Sequence, residues 1–156
     1  MISYVVDSYD PDLLIDIATL TGAVVFGLGH AGAGYMVKEQ KTADYLNHIT
    51  QKVGEPMWQL PLWPELESEV SSSLADLKNI AKPNIKAGPI MGGYFIREFV
   101  KDHRCQWAHL DVAGTAWGCG ATGYPTSGGS SFGVRTMVAA VELFETSFRM
   151  FSNKQL

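Results

Sequence analysis

Leu13-Leu14-Ile15-Asp16-Ile17-Ala18 is the most restrictive passage of the chain. A half-buried strand alternates apolar and polar side chains, whereas this run is nearly all apolar and short, the pattern of a strand covered on both faces. A strand of that kind requires neighbours along its edges and layers above and below. The flanking sequence supplies them. Ile2, Val5, Val6 and Tyr9 fall at helical spacing, and Asp10-Pro11-Asp12 closes that helix, which reads as lacking its beginning.

Beyond the strand, Gly22 to Leu28 reads as a short helix and Tyr35-Met36-Val37 as a second strand after a glycine loop. Lys41 to Val53 carries Ala43, Leu46, Ile49 and Val53 on one face, an amphipathic helix that Gly54 ends. Pro56 to Pro64 holds three prolines, too many for regular structure, and Glu65 to Ser73 reads as a surface helix. Gly88 to Val100 places Ile90, Met91, Tyr94, Phe95 and Phe99 on a buried helix face, and Trp107 to Val112 reads as another strand. Gly114 to Gly133 is a glycine-rich loop; Val134, Met137, Val138, Val141 and Phe144 then mark the apolar side of a last helix. Strands alternating with helices give an α/β layered fold.

A chain of 156 residues, 46% hydrophobic and 18% charged, has the balance of a folded domain, and without repeat or linker residues 1–156 read as one structural unit. Twelve Lys and Arg lie scattered in a chain of net charge -4, so no basic stripe exists to neutralise phosphates, and nucleic acid is not expected as the main partner. Apolar runs such as Ala23-Val24-Val25-Phe26 fall far short of the roughly 20 residues that cross a bilayer. With no basic segment followed by an apolar one at its start, the chain is expected to be cytoplasmic. Cys105 and Cys119 stand apart without a CxxC or Cys/His cluster and read as ordinary thiols.

Four passages carry candidate chemistry. Gly27-Leu28-Gly29-His30-Ala31-Gly32 matches GxGxxG, but a strand follows where a phosphate-binding helix is needed, so dinucleotide binding is not expected. His109 and Asp111, two apart on a strand, project from one face. Two groups are too few for a metal, and a structural hydrogen-bonded pair is expected. Asp16 and Asp111, both in strands, are likewise read as structural rather than as an acid/base pair. Thr126-Ser127-Gly128-Gly129-Ser130-Ser131 offers hydroxyls without a GxSxG turn or a base, which argues against a serine hydrolase.

Five passages in a fixed order resemble the cytosolic leucyl aminopeptidase family: Asp16-Ile17-Ala18-Thr19-Leu20-Thr21-Gly22-Ala23, Gly54-Glu55-Pro56-Met57-Trp58-Gln59-Leu60-Pro61-Leu62, Ala75-Asp76-Leu77-Lys78-Asn79, Trp107-Ala108-His109-Leu110-Asp111-Val112-Ala113-Gly114 and Gly133-Val134-Arg135-Thr136. The resemblance runs from about Ser3 to Glu145. Gly92-Gly93, where the family tends to have alanines, and a longer Gly/Ser loop before Gly133 are its departures.

That resemblance implies a layered mixed sheet flanked by helices, the C-terminal half of a leucyl aminopeptidase-like catalytic domain. It implies an exopeptidase that removes N-terminal residues from peptides with a free amine, in which two adjacent divalent metals, zinc or manganese, polarise the peptide carbonyl and activate water. The family's metal ligands and catalytic residues belong to motifs preceding the one at Asp16. This chain is therefore expected to contain no catalytic and no metal-binding residue, to carry no metal alone, and to be inactive alone. It is expected to hold the substrate pocket: Thr19, Leu20, Thr21 and Gly22 at the turn whose backbone meets the substrate, and Ala113 and Ala116 beside the substrate's first side chain. Ala116 stands where a bulkier methionine occurs, which implies a roomier pocket. The family also implies a homo-oligomer, a hexamer. A different class of function, a non-catalytic scaffold or interaction module that keeps the fold, is the alternative.

Overall fold

The computed structural model describes residues 1–118 and 127–148. Their elements follow in the order α1 (Ile2–Tyr9), β1 (Leu13–Ala18), α2 (Val24–Leu28), β2 (Ala33–Val37), α3 (Gln40–Val53), β3 (Met57–Gln59), a 3₁₀ segment (Pro64–Val70), α4 (Gly88–Arg97), β4 (Gln106–Asp111) and α5 (Val134–Glu142). The strands form one mixed sheet in the order β1-β4-β2-β3. β1 runs parallel to β4 with Asp16 opposite His109, β2 runs antiparallel to β4, and β3 lies parallel to β2.

Alternation along β4 sorts the two layers. Trp107 shares its side of the sheet with Met36, and these pack against Val6 of α1 and Ile96 of α4. Ala108 and Leu110 face the other way, with Ala33, Tyr35 and Val37, onto Ala43 and Leu46 of α3. α3 in turn packs on α5, through Tyr45 and Ile49 against Ala139 and Ala140. Each large apolar side chain removed from water in these layers contributes roughly 1.5–3 kcal/mol, so central β4, buried along its whole length, anchors the fold.

The layered α/β architecture is the one expected from the sequence, and the differences are local. Leu13–Ala18 forms its strand but lies at the sheet's edge: it pairs only with β4 among the described residues and is half-buried, with Ile17 41% exposed. Apolar character reports what covers a strand's faces; it does not report whether both edges are paired. Within the proline-rich passage, Met57–Gln59 does form a strand, because Pro56 and Pro61 fall outside the three residues that pair with β2. The expected surface helix after it is the shorter 3₁₀ segment, begun by Pro64. Phe99 lies past the end of α4 and is exposed. On α5 the apolar stripe is divided: Val134, Val138 and Val141 are exposed, Met137 is half-buried against the core, and Thr136, Ala139 and Ala140 are buried. Small residues let α5 approach α3, and the Tyr45 hydroxyl donates to the Ala140 carbonyl at 2.6 Å.

Among the described residues no helix is long and apolar enough to cross a membrane. Cys105 is a free, buried thiol, and burial pushes its pKa up. Cys119 and Thr126 lie outside the described residues, as does the middle of the Gly114–Gly133 loop.

Candidate functional site

The carboxyl ends of the parallel strands β1 and β4 lie side by side, the edge at which open α/β sheets bind their ligands. β1 leaves the sheet through Thr19, Leu20, Thr21 and Gly22, which turn the chain into α2. β4 leaves it through Val112, Ala113 and Gly114. Asp111, the last residue of β4 and fully buried, joins the two exits. Its Oδ1 accepts the Leu20 N–H at 3.2 Å and the Ala113 N–H at 3.2 Å. Its Oδ2 accepts the Thr21 N–H at 3.2 Å and the Thr21 hydroxyl at 2.6 Å. A buried carboxylate is costly unless its lone pairs are filled, and here the turn fills them.

A second clamp sits behind the first. The His30 ring donates from Nδ1 to the Gly114 carbonyl at 2.6 Å. A methyl at Gly114 would meet the Gly29 carbonyl oxygen at 2.5 Å, so only glycine allows the β4 exit to lie against the end of α2.

With their N–H groups committed to Asp111, Leu20 and Thr21 present their other side to a cleft of about 540 Å³. Loop residues 79–87 form most of the far wall, with Gly88 at the start of α4, and Met91, Gly92 and Phe95 of α4 line the floor. Gly92 is what lets α4 come so close, since a Cβ there would stand 2.8 Å from Leu20 Cδ2. Gly93 plays the same part against Met36, whose sulfur would lie 3.0 Å from a Cβ. The Thr19 and Leu20 carbonyls accept no backbone hydrogen bond among the described residues, which leaves them as acceptors at the turn.

Of the residues expected to form a pocket, Leu20 and Thr21 border this cleft, Thr19 and Gly22 flank them as exposed turn residues, and Ala113 is tied to them through Asp111. Ala116 lies apart. It packs against the α3-side core, and its carbonyl accepts the Ser130 N–H at 3.0 Å.

The expected His109–Asp111 pair does not form. Both side chains are buried on β4, but His109 donates from Nδ1 to Asp16 Oδ1 on the neighbouring strand at 2.5 Å, and Trp107 Nε1–H donates to Asp16 Oδ2 at 2.8 Å. Asp111 reaches the turn instead. Asp16 and Asp111 thus each accept hydrogen bonds from their own set of donors. His30 is held by Gly114, and buried Ser130 donates to the Thr115 carbonyl and receives the Phe132 N–H, a packing role. A strand, β2, follows the GxGxxG passage.

Two residues hold more of the structure together than the sequence reading gave them. One is Asp111. The other is Glu55, fully buried, whose carboxylate accepts the Gly133 N–H at 3.0 Å, the Thr136 N–H at 2.9 Å and the Thr136 hydroxyl at 2.6 Å, capping α5 from a segment far away in sequence. Burial by itself would raise the Glu55 pKa, but the hydrogen bonds from Thr136, Gly133 and Arg135 outweigh it and hold the carboxyl below its ordinary range. Both motifs, Gly54-Glu55-Pro56 and Gly133-Val134-Arg135-Thr136, were conspicuous in the sequence; their contact was the missing signal.

Residues 1–138 match the model of the cytosol aminopeptidase family, catalytic domain. The chain is 41% identical over 137 residues to a probable cytosol aminopeptidase of Chloroherpeton thalassium, covering 88% of this chain and 26% of that protein. Against the probable cytosol aminopeptidase of Nocardia farcinica it is 44% identical over 133 residues, 85% of this chain and 26% of the relative. The fold superposes on a mutant of tomato leucine aminopeptidase with a TM-score of 0.78 and 31% identity, over 90% of this chain and 26% of the tomato chain. The chain thus spans about a quarter of the length of the relatives it matches. Family model, sequence identity and backbone agree, and the match over residues 1–138 takes in the turn, the β4 exit and the cleft beside α4: the chain belongs to the cytosol aminopeptidase family.

Proposed function

We propose that this chain is the substrate-cradle part of a metal-dependent aminopeptidase, which removes N-terminal residues from peptides, and that it does not catalyse the reaction alone. The observation that carries this reading is the Asp111 clamp, which fixes the Thr19–Gly22 turn beside the 540 Å³ cleft before any ligand arrives. A volume of that order accommodates a small peptide. The carbonyls of Thr19 and Leu20 are acceptors for its N–H groups, and the apolar floor at Met91 and Phe95 suits a hydrophobic side chain. Preorganised positioning of this kind lowers the entropic part of a barrier.

The divalent metals that belong to such an enzyme do not fit the described residues. Among them no three His, Cys, Asp or Glu side chains come together. Asp111, behind the turn that borders the cleft, accepts hydrogen bonds at both oxygens, and Asp16 is held by His109 and Trp107. We assign the metals, zinc or manganese, and the groups that hold them to other parts of the complete enzyme. The names of the relatives favour a cytosolic setting, and exposed apolar side chains on α5 favour a homo-oligomer, for which a hexamer is the proposed state.

Metal analysis after dialysis against a chelator, paired with a thermal-shift titration of the aminopeptidase inhibitor bestatin, tests the reading. Less than stoichiometric metal, no release of leucine from a chromogenic leucyl substrate, and a melting temperature raised by bestatin are expected. Two tightly held metals per chain, or turnover by the chain alone, would show that the ligands have been misplaced. An unmoved melting temperature would favour the scaffold alternative.

A further inference from the structure

The far wall of the cleft holds two cations and no anion. Lys82 and Lys86 line it together with Ile80, Ile85 and Pro83, and no Asp or Glu shares the lining. This is a local reversal in a chain of net charge -4. Lys82 is partly neutralised by Glu69, whose Oε1 lies 3.2 Å from Nζ. Lys86 forms no ion pair among the described residues. A loop lysine ordinarily serves solubility on a convex surface; these two border a concave apolar space, where an ammonium is a recognition element for an anion carried on an apolar body. The first turn of α4, which contributes Gly88 to the same wall, has no side-chain cap and adds its positive end to the field of the lysines.

We propose that this cleft receives the part of a peptide that follows its first residue, with a hydrophobic side chain against Ile85, Met91 and Phe95 and a terminal carboxylate at Lys86, assisted by Lys82. The preferred ligands are then di- and tripeptides that end in a hydrophobic residue with a free carboxylate. Peptide amides and long chains bring the same apolar contact without the charge at that position. The inference rests on the assignment of the Thr19–Gly22 turn as the substrate cradle, and it adds the lysines as determinants of substrate length and charge.

The test compares leucyl-phenylalanine with its C-terminal amide by ¹H–¹⁵N NMR titration of the whole chain, following the amides of Leu20, Thr21, Gly88 and Gly92. At low salt the free dipeptide is expected to bind about two- to fivefold more tightly than the amide, the effect of a solvent-accessible charge pair. That advantage is expected to vanish in the Lys82→Ala/Lys86→Ala double variant and to shrink at about 0.5 M salt. The affinity of the amide should be the same in variant and wild type, which also shows that the variant is folded. Equal affinity of the two ligands for the wild type overturns the lysine assignment while leaving the cradle in place. Shifts at none of the four amides with either ligand overturn the cradle as well.

Discussion

Asp111 gathers four donors onto two oxygens, and three of them come from residues about ninety positions earlier in the chain. In Asp111→Asn one oxygen becomes an NH₂ group that faces either the Thr21 pair or the Leu20 and Ala113 pair, donor against donor. Hydrogen bonds to a charged acceptor are each worth about 1.5–3 kcal/mol, so a loss of roughly 2–4 kcal/mol is expected, read by urea unfolding. Amide exchange at Leu20 and Thr21 should accelerate more than at Trp107; equal protection in variant and wild type would remove Asp111 from its clamping role. The sequence revealed a strand carboxylate and, from the spacing of two, the face it shares with His109. It could not reveal that His109 turns to Asp16 and Asp111 to the turn, because both choices depend on which strand lies next to β4. Ala116 shows the same limit: its motif was readable, but its packing against the α3-side core was not.

At the scale of elements, α5 depends on a cap that is not its own. Glu55 follows the glycine that ends α3 and supplies the acceptor for the first turn of α5, so one carboxylate couples two helices that already pack together. Its pKa is held below the ordinary 4.5 in the folded protein. A depressed carboxyl adds stability above its unfolded pKa and loses it as pH falls through the folded value. The wild type should therefore lose stability steadily on acidification below about pH 4.5. Glu55→Gln should be less stable at neutral pH by about 1.5–3 kcal/mol and show a shallower decline in that acid range. Parallel stability curves for the two proteins would mean that other carboxylates carry the acid response. Helices with a clear period, α3 above all, were legible from Ala43, Leu46 and Ile49. β3 was not, since three residues between prolines carry no period. The apolar residues of α5 were legible as one side of a helix, but not that Met137 packs on the core while Val134, Val138 and Val141 stay exposed, because periodicity groups residues without saying what covers each of them.

Across the whole molecule, the exposed valines of α5 lie near β1, one edge of which is unpaired among the described residues. Leu13 and Ile15 of β1 and Met137, Ala140, Val141 and Phe144 line a groove of about 570 Å³. Val138, 52% exposed, and Val141, 80% exposed, extend the apolar surface beyond it. Exposed apolar area next to an open strand edge favours association. Sedimentation velocity over a hundredfold range of concentration should reveal growing oligomers of the isolated chain, and Val138→Lys/Val141→Lys should shift the distribution to the monomer. A wild type that stays monomeric throughout would contradict this view of the surface. The layered architecture itself was legible from the order of strands and helices; the exposed edge was not, since every residue of β1 is apolar enough for an interior position except Asp16.

The partner of β1 arrives late in synthesis. Asp16 and His109, opposite one another in the finished sheet, are separated by 93 positions, and ribosomes add roughly 5–20 residues per second. Leu13–Ala18 therefore leaves the ribosome about 5 to 20 seconds before β4 is available to it. For that interval Leu13–Ala18, the most apolar of the described strands, waits for β4 on the nascent polypeptide, a segment suited to a chaperone that holds short apolar runs.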